Sequence, residues 1–315
     1  MLREMASILR CPACKGGPLR IDEKQYKGEE ILEAEIICSN CKAWYKIIDG
    51  IPIMLPNKGS RGREINRKQK QITYFAEKCD TEFEINRPHN TGHLYQYLID
   101  YKFKKTFESL PESLQGLKVL DSCCGSGMAC EYYANQGAKV VGLDMSFEAV
   151  KRAKIRGERY GFQAESVVGD SENLPFINDS FDIASIHDGL HHLEKPQTGV
   201  RELSRVAKKG FFIIEPARAV PTKISVFLGI STNYEEAGNI VYRFSENQLK
   251  RWAEELDYNH TTIVRYLMYY SHRPPVWFEL FNNNFMSFLF LIGFHLTNLV
   301  LGAFGNKILF IAWNK

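Results

Sequence analysis

The chain predicts an α/β fold built on a doubly wound parallel sheet, preceded by a small metal-bound domain, and three observations carry that prediction. From about residue 118 onward, short apolar runs that suit buried parallel strands alternate with helical segments. The stretch 118–146 reads strand, small-residue turn, helix and strand, with an acid closing the second apolar run. Ahead of it stand two Cys-x-x-Cys pairs within the first 41 residues. At 315 residues and 44% apolar, the chain suits one large domain plus a small one. A net charge of +3 supplies none of the overall field that dedicated nucleic-acid binders carry.

In chain order, 1–56 reads as a ribbon. Cys11 and Cys14, then Cys38 and Cys41, form two knuckles separated by 23 residues. Two such knuckles close a tetrahedral thiolate cage around a structural Zn²⁺ and leave no position open for water. A domain below about 60 residues buries too little apolar surface to hold itself, so the metal supplies folding energy. A redox dithiol is the competing use of Cys-x-x-Cys, and two pairs in register disfavour it. Residues 57–70 are rich in Gly, Asn and basic side chains and read as a solvated linker. That basic run would also suit RNA phosphates or anionic headgroups. The remainder, 71–315, reads as the α/β domain, with helices at 72–83 and 94–110 ahead of the sheet. The N-terminus lacks the sustained apolar core of a signal peptide, which sets a cytosolic expectation with eight reduced cysteines. Cys79, Cys124 and Cys130 read as small core or loop residues.

The turn at the head of the sheet names its ligand class. A pyrophosphate cradle is written G-x-G-x-x-G, whereas here the order is Asp121, Ser122, Cys123, Cys124, Gly125, Ser126, Gly127. A carboxylate leading the loop would repel a diphosphate and favour the ammonium of a methionine moiety, hence S-adenosylmethionine over NAD. Gly125 and Gly127 are expected to let the backbone approach that ligand, and a cysteine at 123 fits if its φ is negative. Asp144, 23 residues after Asp121, stands where a carboxylate at the end of the second strand accepts ribose hydroxyls. With these residues in place the chain resembles the class I S-adenosylmethionine-dependent methyltransferases, of the quinone and small-molecule, methyltransferase-11-like type. Cys123 replaces the family's usual first glycine. The resemblance implies a Rossmann-like doubly wound seven-stranded methyltransferase sheet. It also implies cofactor contacts from Asp121, Cys123, Gly125, Gly127, Asp144, Met145 and His187, with Asp170 or Ser171 at the adenine amino group. The text LRCPAC, IICSNC and WYKIIDGIPIML resembles zinc ribbons of the Trm112 type.

Further elements follow in the expected order. Residues 164–170 read as a third strand, and IASI before His187 as a fourth. Residues 202–209 read as a helix stopped by Gly210 before the strand FFIIEP. Ser245 to Gln248 is a capping box opening a helix through Leu256. Strands are expected at 261–270 and 307–313. Between them lies an apolar insertion at about 276–305, with no charged residue between Glu279 and Lys307. Its core, 285–305, is long enough to cross a bilayer. A single span would part the 307–313 strand from its partner, and Ser287, His295, Thr297 and Asn298 add polar cost. A lid or hairpin over the substrate mouth, or dipping into one leaflet, is the preferred expectation; a buried core helix is the bland one.

Methyl transfer is an in-line displacement, so alignment and water exclusion dominate, and a base is needed only where the acceptor starts protonated. His187, Asp188, His191 and His192 cluster around the end of the fourth strand. His191 is the first choice of base, His187 the second, and Asp188 an orienting group. Tyr269, Tyr270 and His272 are candidates for the acceptor pocket. The leading expectation is a methyltransferase for a hydrophobic small molecule: a quinone precursor, an isoprenoid-linked phenol or another lipid, peripheral to a membrane. An RNA base methyltransferase is the first alternative, and a partner-regulated docking protein without activity of its own the second.

Overall fold

The computed structural model describes residues 1–56, 68, 72–73, 76–227, 233–234, 241–269 and 272–313. The expected linker, 57–70, lies outside the described residues apart from Lys68. The chain divides into two compact units: 1–85 with 114–211, and 86–113 with 212–313.

In the first unit, an antiparallel ribbon of β1 (Leu19–Lys27), β2 (Glu30–Cys38), β3 (Trp44–Ile48) and β4 (Ile51–Ile53) is followed by β5 (Lys118–Ser122), β6 (Lys139–Asp144), β7 (Ala164–Val168) and β8 (Phe181–His187). The strand order is β1-β2-β3-β4-β7-β6-β5-β8. β5, β6, β7 and β8 are mutually parallel, with helices Met128–Asn135 and Phe147–Tyr160 making the crossovers. The ribbon adds its strands directly to this sheet. β4 runs parallel to β7 with Ile53 opposite Val168, and the Met54 N–H donates to the Val168 carbonyl at 2.7 Å. Ile51 of the ribbon packs on Val150 and Val168, three fully buried side chains. Each contributes roughly 1.5–3 kcal/mol of burial.

The helix expected at 202–209 instead runs Pro196–Val206. Pro196 takes the first helical position, where its missing N–H costs nothing, and the helix is spent by Val206. Lys208, Lys209 and Gly210 then belong to β9 (Ala207–Pro216), which carries the chain from the first unit into the second.

In the second unit the order is β9-β11-β10. β10 (His260–Tyr266) and β11 (Lys307–Trp313) pair antiparallel from His260 opposite Trp313 to Tyr266 opposite Lys307. β10 stops short of the expected 270. Beyond Tyr266 the backbone of Leu267 pairs with the Asn298 side chain and that of Met268 with the Asn306 side chain, at 2.8–3.0 Å. Two asparagines thus do what a neighbouring strand would do. Ser245 caps helix Glu246–Glu254, two residues shorter than expected, through the Gln248 N–H, while the Gln248 side-chain amide donates to the Tyr242 hydroxyl. The helix expected at 94–110 is His93–Ser109.

Helix Phe147–Tyr160 is locked in place by a buried ion pair. Arg156 is fully buried; its Nε donates to Glu131 Oε2 at 2.7 Å and its Nη1 to the Ile85 carbonyl at 2.8 Å. Removing one partner of such a pair strands a charge in the interior. Glu131→Ala is therefore expected to cost about 3–5 kcal/mol in urea unfolding, and Glu131→Gln, which keeps an acceptor oxygen, distinctly less.

Candidate functional site

The sheet of the first unit reverses its winding between β5 and β8. The chain proceeds from β5 to β6 and β7 on one side, while β8 lies on the other. Ligands of doubly wound sheets bind at this switch point, beyond the carboxyl ends of the strands. All four of those ends carry sequence-predicted site residues: Asp121 to Gly127 after β5, Asp144 and Met145 after β6, Asp170 and Ser171 after β7, and His187 to His192 after β8.

The β5 turn is more contorted than its sequence predicts. Cys123 has φ +62°, in the left-handed region rather than at negative φ, as do Gly125 at +53° and Gly127 at +80°. The Cys123 thiol meets the Ser171 hydroxyl at 3.1 Å, and Ser122 Oγ donates to the same hydroxyl at 2.8 Å. Ser171 is thereby a post under the loop. The two glycines differ in purpose. A Cβ on Gly125 would point into open space, leaving room beside the loop, whereas one on Gly127 would lie 2.8 Å from Ala153 Cβ. Gly127 therefore serves the packing of helix Phe147–Tyr160 rather than ligand approach.

Asp144 is half-buried and holds the loop: Oδ2 accepts the Gly125 N–H at 3.0 Å and Oδ1 the Ser146 N–H at 2.9 Å. Asp121 is fully buried beneath the same loop. Its Oδ2 accepts from the Cys130 thiol at 3.4 Å, and its Oδ1 has no hydrogen-bond partner among the described residues. Burial pushes this carboxyl up to about 7, against the pull of the Cys130 thiol. Cys124 and Cys130 are buried small residues, as expected, and both crowd Gly142, where a Cβ would lie 3.0 and 2.9 Å from their sulfurs.

Asp170 is occupied from an unforeseen direction. Lys68 Nζ donates to Asp170 Oδ2 at 2.7 Å and lies 2.5 Å from Glu172 Oε2. The following segment is gripped from both sides. The Arg10 N–H donates to the Pro175 carbonyl, Asn173 Nδ2 to the Pro12 carbonyl, and Glu202 joins Arg10 and Arg205 while accepting the Leu174 N–H at 2.9 Å. Pro12 lies between the two cysteines of the first knuckle, so the ribbon touches the loop that leaves Asp170.

After β8, Asp188 also turns left-handed, with φ +51°. His187 Nε2 lies 3.6 Å from Asp188 Oδ2. His187 and His191 are both buried, and the His191 and His192 rings sit 4.2 Å apart. Gly189, which no motif singled out, is what lets the two turns meet. A Cβ there would lie 2.4 Å from Cys123 Cβ. The Asp-Gly dipeptide was its only sequence signal; Lys68 had none. Tyr269 and His272 belong to the second unit. There Tyr269 packs on Trp277 and Phe278, and the His272 carbonyl accepts from the Tyr95 hydroxyl. Tyr270 lies outside the described residues.

The four knuckle sulfurs lie within 4.8 Å of one another, with Cys11 to Cys41 and Cys14 to Cys38 each at 3.6 Å. A tetrahedral zinc with bonds of about 2.3 Å sets sulfurs roughly 3.8 Å apart, so the donor set fits that ion. Each knuckle closes with a left-handed lysine, Lys15 at φ +57° and Lys42 at +61°. Their N–H groups donate to the Cys11 and Cys38 carbonyls.

Residues 120–214 match the family described as methyltransferase domain, and residues 3–50 the family described as Trm112p-like protein. The demethylmenaquinone methyltransferase of Corynebacterium kroppenstedtii is 28% identical over 170 residues, which is 54% of this chain and 69% of that protein. The ubiquinone biosynthesis O-methyltransferase of Escherichia coli is 37% identical over 98 residues, 31% of this chain and 41% of that protein. In fold, the magnesium protoporphyrin IX methyltransferase of Synechocystis PCC 6803, solved with bound SAH, matches 79% of this chain and all of its own at a TM-score of 0.51 and 18% identity. Four parallel strands followed by β9, β11 and β10 agree with the seven strands of the Rossmann-like methyltransferase sheet. Residues 3–50 thus match a Trm112p-like domain and residues 120–214 a methyltransferase domain, on a Rossmann-like methyltransferase fold.

Proposed function

We propose that this protein transfers the methyl group of S-adenosylmethionine to a hydrophobic, quinone-type acceptor, working from a zinc-bound ribbon at 1–56 and a catalytic domain at 71–315. The observation that carries the reading is the convergence on one sheet edge of an open glycine cradle at Gly125, the Asp144 carboxylate above it and two buried histidines at the end of β8. The names of the relatives support the acceptor class.

When bound, S-adenosylmethionine supplies an electrophilic sulfonium methyl. Asp144 binds the ribose through lone pairs not used by Gly125 and Ser146, and Asp170 takes the adenine amino group after releasing Lys68. Asp121 is enclosed, so its charge acts on the methionine ammonium through the loop rather than by contact. His191 takes the proton that a phenolic acceptor loses as its oxygen bonds the methyl carbon, and His187 is the second candidate. Asp188 orients His187 across 3.6 Å. Lys68, from the basic segment, is spent on Asp170 and Glu172, which weighs against that charge tracking RNA.

Four outcomes follow. Incubation with methyl-labelled S-adenosylmethionine and cell extract should place label in the organic phase, and His191→Ala should lower it by roughly 10²–10⁴-fold; label in RNA would overturn the acceptor reading. Cofactor affinity should rise as pH climbs through about 7, because ionised Asp121 favours the ammonium, until the ligand amine deprotonates near pH ~8. Asp121→Asn should flatten that rise in calorimetric titrations. The same raised value means that the ligand-free fold loses stability as pH rises from about 3.8 to about 7, where the unfolded chain releases the proton first. Finally, the purified chain should release one zinc per molecule to a thiol-reactive agent, and Cys38→Ser should release none and lower the melting temperature.

A further inference from the structure

Helix Asn284–Leu301 inverts the ordinary arrangement of a surface helix. Along Phe285–Phe304 Gly302 alone is buried. Its half-buried positions, Ser287, Phe290, Leu291, Phe294 and Asn298, recur at helical spacing and form one stripe. Phe294 packs on Tyr97 and Tyr101 of helix His93–Ser109, and Asn298 pairs with Leu267, so this stripe is the docked one. The outward face carries Phe285, Phe288, Leu289, Leu296 and Leu299, the last 82% exposed. A helix facing water points its polar groups outward and its apolar stripe inward. Here Ser287 and Asn298 lie on the docked stripe, while His295 and Thr297 are exposed but bonded within the chain.

The polar groups are also closed off one by one. Ser287 Oγ donates to the Phe281 carbonyl, and His295 Nε2 meets the Tyr97 hydroxyl at 2.6 Å. Thr297 Oγ1 donates to the Gly293 carbonyl at 2.7 Å, and Asn298 bonds the Leu267 backbone at both its oxygen and its nitrogen. A protein partner would ask such a face for about one hydrogen bond per 100–200 Å² and a polar rim. A hydrocarbon phase asks that none be left over. Trp277 and Tyr269, both partly exposed, stand just before the helix as amphipathic rings do at a bilayer surface. In the same unit, helix Val220–Phe227 has no buried side chain and exposes Val220, Ile224 and Phe227 at i, i+4 and i+7. Both ends of the excursion return to one place, because Tyr266 pairs with Lys307. The helix therefore lies in the surface rather than crossing it.

We infer that the outward face of helix Asn284–Leu301 docks into one leaflet of a lipid bilayer, anchoring the second unit to a membrane surface by apolar contact. The inference is independent of the acceptor, since binding is read without substrate. The full chain, mixed with neutral phosphatidylcholine vesicles, should float with them in a density gradient, equally at low and high salt, because the face carries no charge. The triple variant Leu289→Gln, Leu296→Gln, Leu299→Gln should lose at least tenfold in bound fraction while keeping its melting temperature, all three side chains being exposed. Leu296→Phe should float like the parent. Failure of the parent chain to float would overturn the inference. So would a lipid-free dimer that the triple variant converts to monomer, which would assign the face to a second copy.

Discussion

Two neighbouring parallel strands must release the chain in opposite directions without their turns colliding, and the arrangement of the site follows from how that is achieved. β5 ends in Asp121 and Ser122, β8 in His187, and the turns after both are left-handed, at Cys123 and Asp188. A side chain normally resists that conformation by roughly 1 kcal/mol or more. Here the crowded neighbours give it no other course. Gly189 clears the one volume that Cys123 Cβ requires, and Ser171 braces the cysteine from below. With the turns so fixed, Gly125 is left facing open space and the Asp144 carboxylate sits over its N–H.

The ribbon is tied into this edge rather than appended to it. Its last strand extends the sheet at β7, and its first knuckle presents the Pro12 carbonyl to Asn173. Glu202 completes the hold by binding Arg10 from the ribbon, Arg205 on its own helix and the Leu174 N–H at once. A metal that orders Cys11 and Cys14 therefore also steadies the loop leaving Asp170. The Asn173 amide and the Glu202 carboxylate are the side chains that join the first knuckle to that loop.

What was legible in the sequence is what local chemistry dictates. The cysteine quartet could be read because ligand spacing is itself the geometry. β11 could be read to the residue because seven consecutive apolar or aliphatic-stemmed positions suit a strand buried on both faces. The long-range choices were not legible. Spacing says nothing of the sign of φ, so the left-handed turn at Cys123 shows only in the structure. The pairing of β4 with β7 joins residues more than a hundred positions apart, and no pattern in either announces it. β10 reads too long because the sequence cannot reveal that asparagine side chains take over from a strand at Leu267 and Met268. Asn298, Ser287 and His295 look like a cost to an apolar helix until their partners are known.

The pairing of Tyr266 with Lys307 has an evolutionary side. Everything between them is a closed excursion whose ends are fixed one ladder rung apart. Re-entry demands a glycine at 305, where a Cβ would strike the Tyr266 carbonyl, and Arg265 clasps the Gly305 carbonyl at 2.6 Å. Closure of such a loop depends only logarithmically on its length, about 0.6 kcal/mol for each doubling. Forty intervening residues are thus nearly as easy to close as twenty. Lineages sharing this strand pair are free to lengthen, trim or replace the excursion while β10 and β11 keep their register. The surface that one such enzyme presents to its surroundings can change far faster than the sheet that carries it.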